Sequence, residues 1–230
     1  FTGKCGSALA CYKWQSHCDA CPSLSAYPKT WFFDQSSSMF DVKYEMFADF
    51  QNLQIVTPTD WLANRVRKSV IAGSKNVSVI SNGLDLDLFY PRDSKDVWNN
   101  INWNAQFTVI SVGSDFWSDL KGGKWVLKLA KRMPHVLFVM VGVDSTPSGV
   151  PDNVKMVRPI TDKNLLAEYY SSADLLLLTS LQETFSMVTA ESLACGTPVV
   201  GFEAGAPEEV APKGYGTFVP HGDIRGLELC

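Results

Sequence analysis

Two carboxylates, Glu183 and Glu191, stand with seven residues between them in the run Glu183-Thr184-Phe185-Ser186-Met187-Val188-Thr189-Ala190-Glu191-Ser192-Leu193-Ala194-Cys195-Gly196. A carboxylate accepts hydrogen bonds from hydroxyl groups, and a helix start offers unpaired N–H groups to a phosphate. Within this run Met187, Val188, Ala190, Leu193 and Ala194 recur at helical spacing. Ser186 is placed as an N-cap and Gly196 as the terminating glycine. Glu183 then falls in the loop before the helix, and Glu191 at or just beyond its first turn. Two carboxylates beside a phosphate-favouring helix start suit a ligand rich in both hydroxyl and phosphate, as a nucleotide sugar is.

The elements that must position this pair read as strand, helix, strand. Leu175–Leu178 precedes the run and residues 198–202 follow it, both apolar. From residue 107 onward the alternation continues, with strands expected at 107–112, 136–141, 154–157 and 217–219. Val126, Leu129, Ala130 and Met133 share one helical face, and Leu165, Leu166, Tyr169 and Tyr170 another, with Thr161 as the expected cap of the second helix. Apolar strands separated by helices imply a parallel, doubly wound sheet with ligands at the carboxyl ends of its strands.

The first ninety residues are less regular. A helix is expected over 39–50, a strand over 53–57, a helix from Asp60 whose Leu62, Val66 and Val70 share a face, and a strand over 77–80. The resulting division is residues 1–91 as the rear part of one α/β domain, 92–106 as a linker, and 107–230 as a Rossmann-like domain. The chain starts at Phe1 and stops inside what reads as a helix start, so a fragment of a longer protein is expected. With 230 residues, 46% hydrophobic and 19% charged, it has ordinary globular composition. A net charge of −4 speaks against a nucleic-acid binder, and no apolar stretch reaches the roughly 18–20 residues that cross a bilayer. No Gly-x-Gly-x-x-Gly supports a dehydrogenase, and Gly122-Gly123-Lys124-Trp125 lacks the rest of a P-loop.

Taken in order, several segments resemble the family-4 retaining glycosyltransferases (group 1), two-domain α/β enzymes of the GT-B fold. They are Ile55-Val56-Thr57-Pro58-Thr59-Asp60-Trp61-Leu62, then Val79-Ile80-Ser81-Asn82-Gly83-Leu84-Asp85 with Phe89-Tyr90-Pro91, then Ala173-Asp174 with Leu177-Leu178-Thr179-Ser180. The two-glutamate run and Gly205-Ala206-Pro207-Glu208-Glu209-Val210 complete the series. Phe1-Thr2-Gly3-Lys4-Cys5 and Cys18-Asp19-Ala20-Cys21-Pro22 are similar to a bacterial subgroup that builds exopolysaccharides such as colanic acid.

The resemblance implies transfer of a sugar, with retained configuration, from a nucleoside diphosphate such as UDP or GDP. The acceptor would be a saccharide or lipid-linked saccharide destined for exopolysaccharide, lipopolysaccharide or capsule. It implies a cytoplasmic protein, with contact to the inner membrane left open, and no cofactor required for catalysis. Glu191 would meet the ribose hydroxyls and Glu183 the transferred sugar. Lys121, followed by Gly122, would meet the diphosphate, stabilising the charge that grows on the leaving group. The N–H groups of Phe185, Ser186 and Met187, after Thr184, would approach the donor. Lys121 and Glu183 are thus the expected catalytic residues. Two other readings stay open: a non-catalytic sugar-nucleotide-binding protein of the same fold, and a sugar-nucleotide epimerase.

Three departures from the family pattern bear on this. Phe116 stands where an arginine is usual, Ser186 where a glycine is usual, and the family's amino-terminal glycine-rich loop and histidine, expected upstream of Phe1, are absent from this sequence. Separately, Cys18-Asp19-Ala20-Cys21 has zinc-ligand spacing, and Cys5, Cys11, Cys18 and Cys21 could close a tetrahedral zinc site, with reduced thiols or disulfides as alternatives. Tyr27, Trp31, Phe32 and Phe33 read first as packing beneath a loop, and second as an acceptor groove or membrane contact.

Overall fold

In the computed structural model, which describes residues 11–24, 30–93, 97 and 107–230, the chain divides into two units, Phe1–Ser81 and Asn82–Cys230. The first contains α1 (Ser36–Asp49), β1 (Gln54–Thr57), α2 (Asp60–Arg67) and β2 (Asn76–Val79), with β1 and β2 paired in parallel. Helix α2 begins at Asp60 because Thr59 is extended and its Oγ1 accepts the Leu62 N–H at 3.3 Å. Val70, expected on its face, lies beyond its end and is exposed.

Trp14, Cys18, Phe40 and Ile71 form a small core in this unit. The expected zinc set is not assembled among the described residues, where no cluster of three or more His, Cys, Asp or Glu is placed to hold a metal. Cys5 lies outside those residues. Cys18 is buried in the core, and the Lys13 ammonium closes the turn that carries it, bonding Asp19 Oδ1 at 2.8 Å and the carbonyls of Asp19 and Ala20. A fixed cation occupies that turn. The packing role expected of the aromatic cluster is also corrected: Trp31, Phe32 and Phe33 are 78%, 89% and 77% exposed. Tyr27 falls outside the described residues, as does most of the expected linker.

The second unit alternates β3 (Thr108–Val112), α3 (Gly123–Arg132), β4 (Leu137–Val141), β5 (Val154–Val157), α4 (Lys163–Ser172), β6 (Leu175–Leu178), α5 (Met187–Ala194), β7 (Val199–Phe202), α6 (Pro207–Val210), β8 (Gly216–Val219) and α7 (Ile224–Leu229). Its six strands are all parallel, in the order β5-β4-β3-β6-β7-β8. Successive side chains enter opposite faces. Val109, Phe138, Met140, Leu177, Val200 and Phe202 pack with α3 and α7, while Ile110, Leu137, Val139, Leu176, Leu178 and Val199 pack with α4 and α5. Leu84, Leu88 and Phe89 join the latter core, so this stretch packs with the second unit. Asp162, not Thr161, caps α4, its Oδ1 accepting the Asn164 N–H at 2.9 Å. The second unit is thus an α/β fold built on one parallel, doubly wound sheet.

Candidate functional site

Strand order reverses between β3 and β6, the position where an open α/β sheet offers a crevice. These strands pair only at Val109 with Leu175 and Ile110 with Leu176. One step on, Ser111 Oγ donates to the Leu177 carbonyl at 2.9 Å. A side chain has replaced the backbone ladder, and the strands part towards their carboxyl ends.

The loops leaving the two strands are tied to each other. The Leu181 N–H donates to the Leu120 carbonyl at 2.8 Å, and Thr179 Oγ1 to the Lys121 carbonyl at 2.9 Å. Gly122, at φ +66°, is required at this crossing because a Cβ there would lie 2.5 Å from the Thr179 carbonyl oxygen. The result brings together two residues 62 positions apart in sequence: Lys121 Nζ lies 2.7 Å from Glu183 Oε1. Both side chains are partly buried, at 36% and 16% exposure. The Glu183 backbone is fixed from behind, its N–H donating to the Ala204 carbonyl at 2.9 Å. Glu208 Oε1 in turn accepts the N–H groups of Ala204 and Gly205, at 3.0 and 3.2 Å.

Helix α5 starts directly after this loop. The N–H groups of Phe185, Ser186 and Met187 find no acceptor among the described residues, so the helix start presents unpaired donors. Thr184 is exposed. Ser186 occupies the N-cap position but does not cap. It adopts a left-handed conformation at φ 73°, and its hydroxyl pairs with Thr189 Oγ1 at 2.8 Å. Val188, Leu193 and Ala194 of the expected apolar set pack partly buried against the core, while the fully buried residues of α5 are Thr189, Glu191 and Ser192. Each has a local partner, Ser192 Oγ reaching the Thr197 carbonyl at 2.9 Å.

Glu191 is 7% exposed, and its Oε2 accepts the Tyr170 hydroxyl at 2.9 Å. Burial pushes the Glu191 carboxyl above its ordinary pKa, and the bond from Tyr170 and the nearby Lys163 charge oppose that rise. Tyr170, fully buried, has its own pKa pushed well up by desolvation and by the Glu191 charge. The sequence reading placed Tyr170 only on a helix face. Its hydroxyl was the missed signal, since a tyrosine buried to that extent finds its O–H a partner.

Phe116, in the expected arginine position, is a buried core residue whose backbone lies against Gly123. Lys124 pairs with Asp119 at 2.6 Å on an exposed surface and takes no part in the crevice.

With that geometry in hand, comparison with known proteins is specific. The family described as "Glycosyl transferases group 1" matches residues 106–228, more than half the chain. D-inositol 3-phosphate glycosyltransferase of Mycobacteroides abscessus is 29% identical over 164 residues, covering 65% of this chain and 37% of that protein. D-inositol 3-phosphate glycosyltransferase 2 of Catenulispora acidiphila is 27% identical over 189 residues, covering 72% and 44%. The chain therefore spans less than half the length of these two curated relatives. Among solved structures, sucrose-phosphate synthase of Thermosynechococcus elongatus matches with a TM-score of 0.69 and 25% identity, covering 85% of this chain and 51% of its own. The Anabaena HepE protein, solved in complex with UDP-glucose, matches with a TM-score of 0.67 and 20% identity, covering 84% and 56%.

Proposed function

The chain belongs to the group 1 glycosyltransferases, and from that premise we propose that its second unit holds the sugar nucleotide for a retaining hexosyl transfer. The observation that carries this reading is the meeting of Lys121 with Glu183 at the strand-order switch, beside the unpaired N–H groups that start α5. Lys121 and those N–H groups bind the diphosphate, Glu183 accepts hydrogen bonds from the sugar, and Glu191 takes the ribose hydroxyls. Catalysis then rests on positioning and on stabilising the leaving diphosphate. In such a transfer the acceptor oxygen bonds to the anomeric carbon on the face from which the diphosphate departs. The acceptor's proton passes to the leaving phosphate.

The acceptor is a polyhydroxylated molecule, a saccharide or lipid-linked saccharide of a cell-surface polysaccharide. The exposed aromatic faces of Trp31, Phe32 and Phe33 suit such a partner. Two curated relatives are named for D-inositol 3-phosphate, a phosphorylated polyol, which supports a hydroxyl-rich acceptor but not its polysaccharide destination. The test is calorimetric titration of the folded chain with UDP, GDP and their sugar conjugates. Saturable binding of one nucleotide series, lost in Glu191→Ala, is the expected result. Binding that is unchanged in that variant would remove Glu191 from the site.

A second reading has one observation behind it. Phe116 puts a core side chain where the family's arginine stands, which fits a protein that binds a sugar nucleotide without turning it over. Donor binding without any transfer or donor hydrolysis would favour it.

A further inference from the structure

We propose that Tyr170 is a positioning residue of this site, acting on the nucleotide through Glu191 by holding one oxygen of its carboxylate and presenting the other to the ribose hydroxyls. The inference rests on the reading of Glu191 given above, and it concerns a residue to which the resemblance assigns no role.

The argument begins from the cost of a buried carboxylate. Glu191 belongs to a helix packed onto the sheet, and an ionised carboxylate there needs a donor to replace lost water. Tyr170 Oη is the donor to Oε2, and no group among the described residues donates to Oε1. A carboxylate held by one oxygen has its plane and its free lone pairs set before a ligand arrives, which lowers the ordering cost of binding.

Tyr170 is itself fixed from three sides. It sits on α4 with its ring fully buried, Phe89 packs against that ring edge-on at 6.4 Å between centroids, and Thr197 Oγ1 donates to its carbonyl at 2.6 Å. The hydroxyl therefore acts as a rigid donor.

The surroundings of Glu191 leave Tyr170 as its principal partner. Lys163 on α4 acts only at a distance through its charge. Cys195, the C-cap of the same helix, is a buried thiol whose pKa is raised, chiefly by burial. Strands β6 and β7 bring no titratable side chain. On α6, Glu208 is engaged with the N–H groups of Ala204 and Gly205, and Glu209 is exposed. Removing the Tyr170 hydroxyl thus takes away the one group that both orients the carboxylate and favours its charged form. The consequence is pH-dependent: the carboxyl protonates at higher pH, and nucleotide affinity is lost first on the acid side.

The experiment compares wild type, Tyr170→Phe, Glu191→Gln and the double variant by titration with UDP and with GDP at about pH 6 and about pH 8.5. Tyr170→Phe is expected to weaken binding about tenfold at the lower pH and about threefold or less at the higher. The double variant is expected to bind no more weakly than Glu191→Gln alone, because both changes act on one carboxylate. Thr197→Val serves as the structural control, loosening the Tyr170 backbone without removing its hydroxyl; it is expected to lower the melting temperature without altering the pH dependence. If wild type binds and Tyr170→Phe loses the same factor at both pH values, loses nothing, or adds its full loss to that of Glu191→Gln, the inference is overturned while the site reading stands. If wild type binds neither nucleotide, the site reading falls and takes the inference with it.

Discussion

Lys121 Nζ and Glu183 Oε1 are 2.7 Å apart, so the cation proposed for the diphosphate and the carboxylate proposed for the sugar neutralise each other. A bound donor must redistribute this pair. Its diphosphate competes with Glu183 for the ammonium, and its sugar hydroxyls compensate the carboxylate released. Binding of the two halves of the donor is then coupled.

Glu183→Gln is therefore expected to split the two ligands. A bare nucleoside diphosphate meets a lysine freed of its carboxylate and should bind about three- to fivefold more tightly, the worth of a partly exposed ion pair. The sugar conjugate loses a charge-assisted acceptor and should bind about tenfold more weakly. Lys121→Ala should weaken both. Calorimetry with each ligand decides it; equal weakening of nucleotide and nucleotide sugar by Glu183→Gln would mean that the pair is not exchanged.

Gly122 makes a second prediction, because the crossing of the two loops depends on its missing side chain. An alanine Cβ would sit 2.5 Å from the Thr179 carbonyl, at a φ of +66° that alanine resists. Gly122→Ala should cost about 2–3 kcal/mol, a fall of roughly 5–10 °C in melting temperature for a unit of this size, and should displace Lys121. An unchanged melting curve would show that the loops part without strain.

How much of this was legible beforehand follows from where the information sits. The second unit's strands declared themselves as short apolar runs, and Val154–Val157 and Leu175–Leu178 have the expected bounds, because strands buried on both faces carry little else. Side-chain chemistry within α5 was less legible. Its apolar residues marked the helix, and Val188, Leu193 and Ala194 pack on the core, but they did not show that Thr189, Glu191 and Ser192 are buried more deeply, with partners on neighbouring turns and segments. The approach of Lys121 to Glu183 depends on loop crossings made by backbone bonds, which leave no periodic trace. Phe116 looked like a gap in the site and is a core residue.

Ser186 offers a test of strain at the same helix start. Its left-handed backbone, at φ 73°, is held while its hydroxyl pairs with Thr189. Ser186→Ala and Ser186→Gly both remove the hydroxyl, and only alanine keeps the conformational penalty. The glycine variant should exceed the alanine variant in stability by about 1 kcal/mol. Chemical denaturation of both variants measures the difference directly. A zero or reversed difference would mean that the backbone relaxes out of the left-handed region when the hydroxyl pair is gone.

Glu191 links the site to stability through pH. Burial raises its carboxyl pKa in the folded chain above the ordinary value. The folded state therefore holds this proton more tightly than the unfolded state. The contribution to stability is fully present below the ordinary carboxylate range and is lost as pH rises through the raised folded value. Glu191→Gln removes that titration yet keeps an oxygen for the Tyr170 hydroxyl. Its stability relative to wild type should increase on going from about pH 4 to about pH 8, while nucleotide affinity falls at the higher pH. Melting curves across that range, read beside binding isotherms, test both halves. If wild type and variant change in parallel, the carboxyl carries no excess cost in the fold, and the case for a carboxylate held ready for a ligand loses its physical basis.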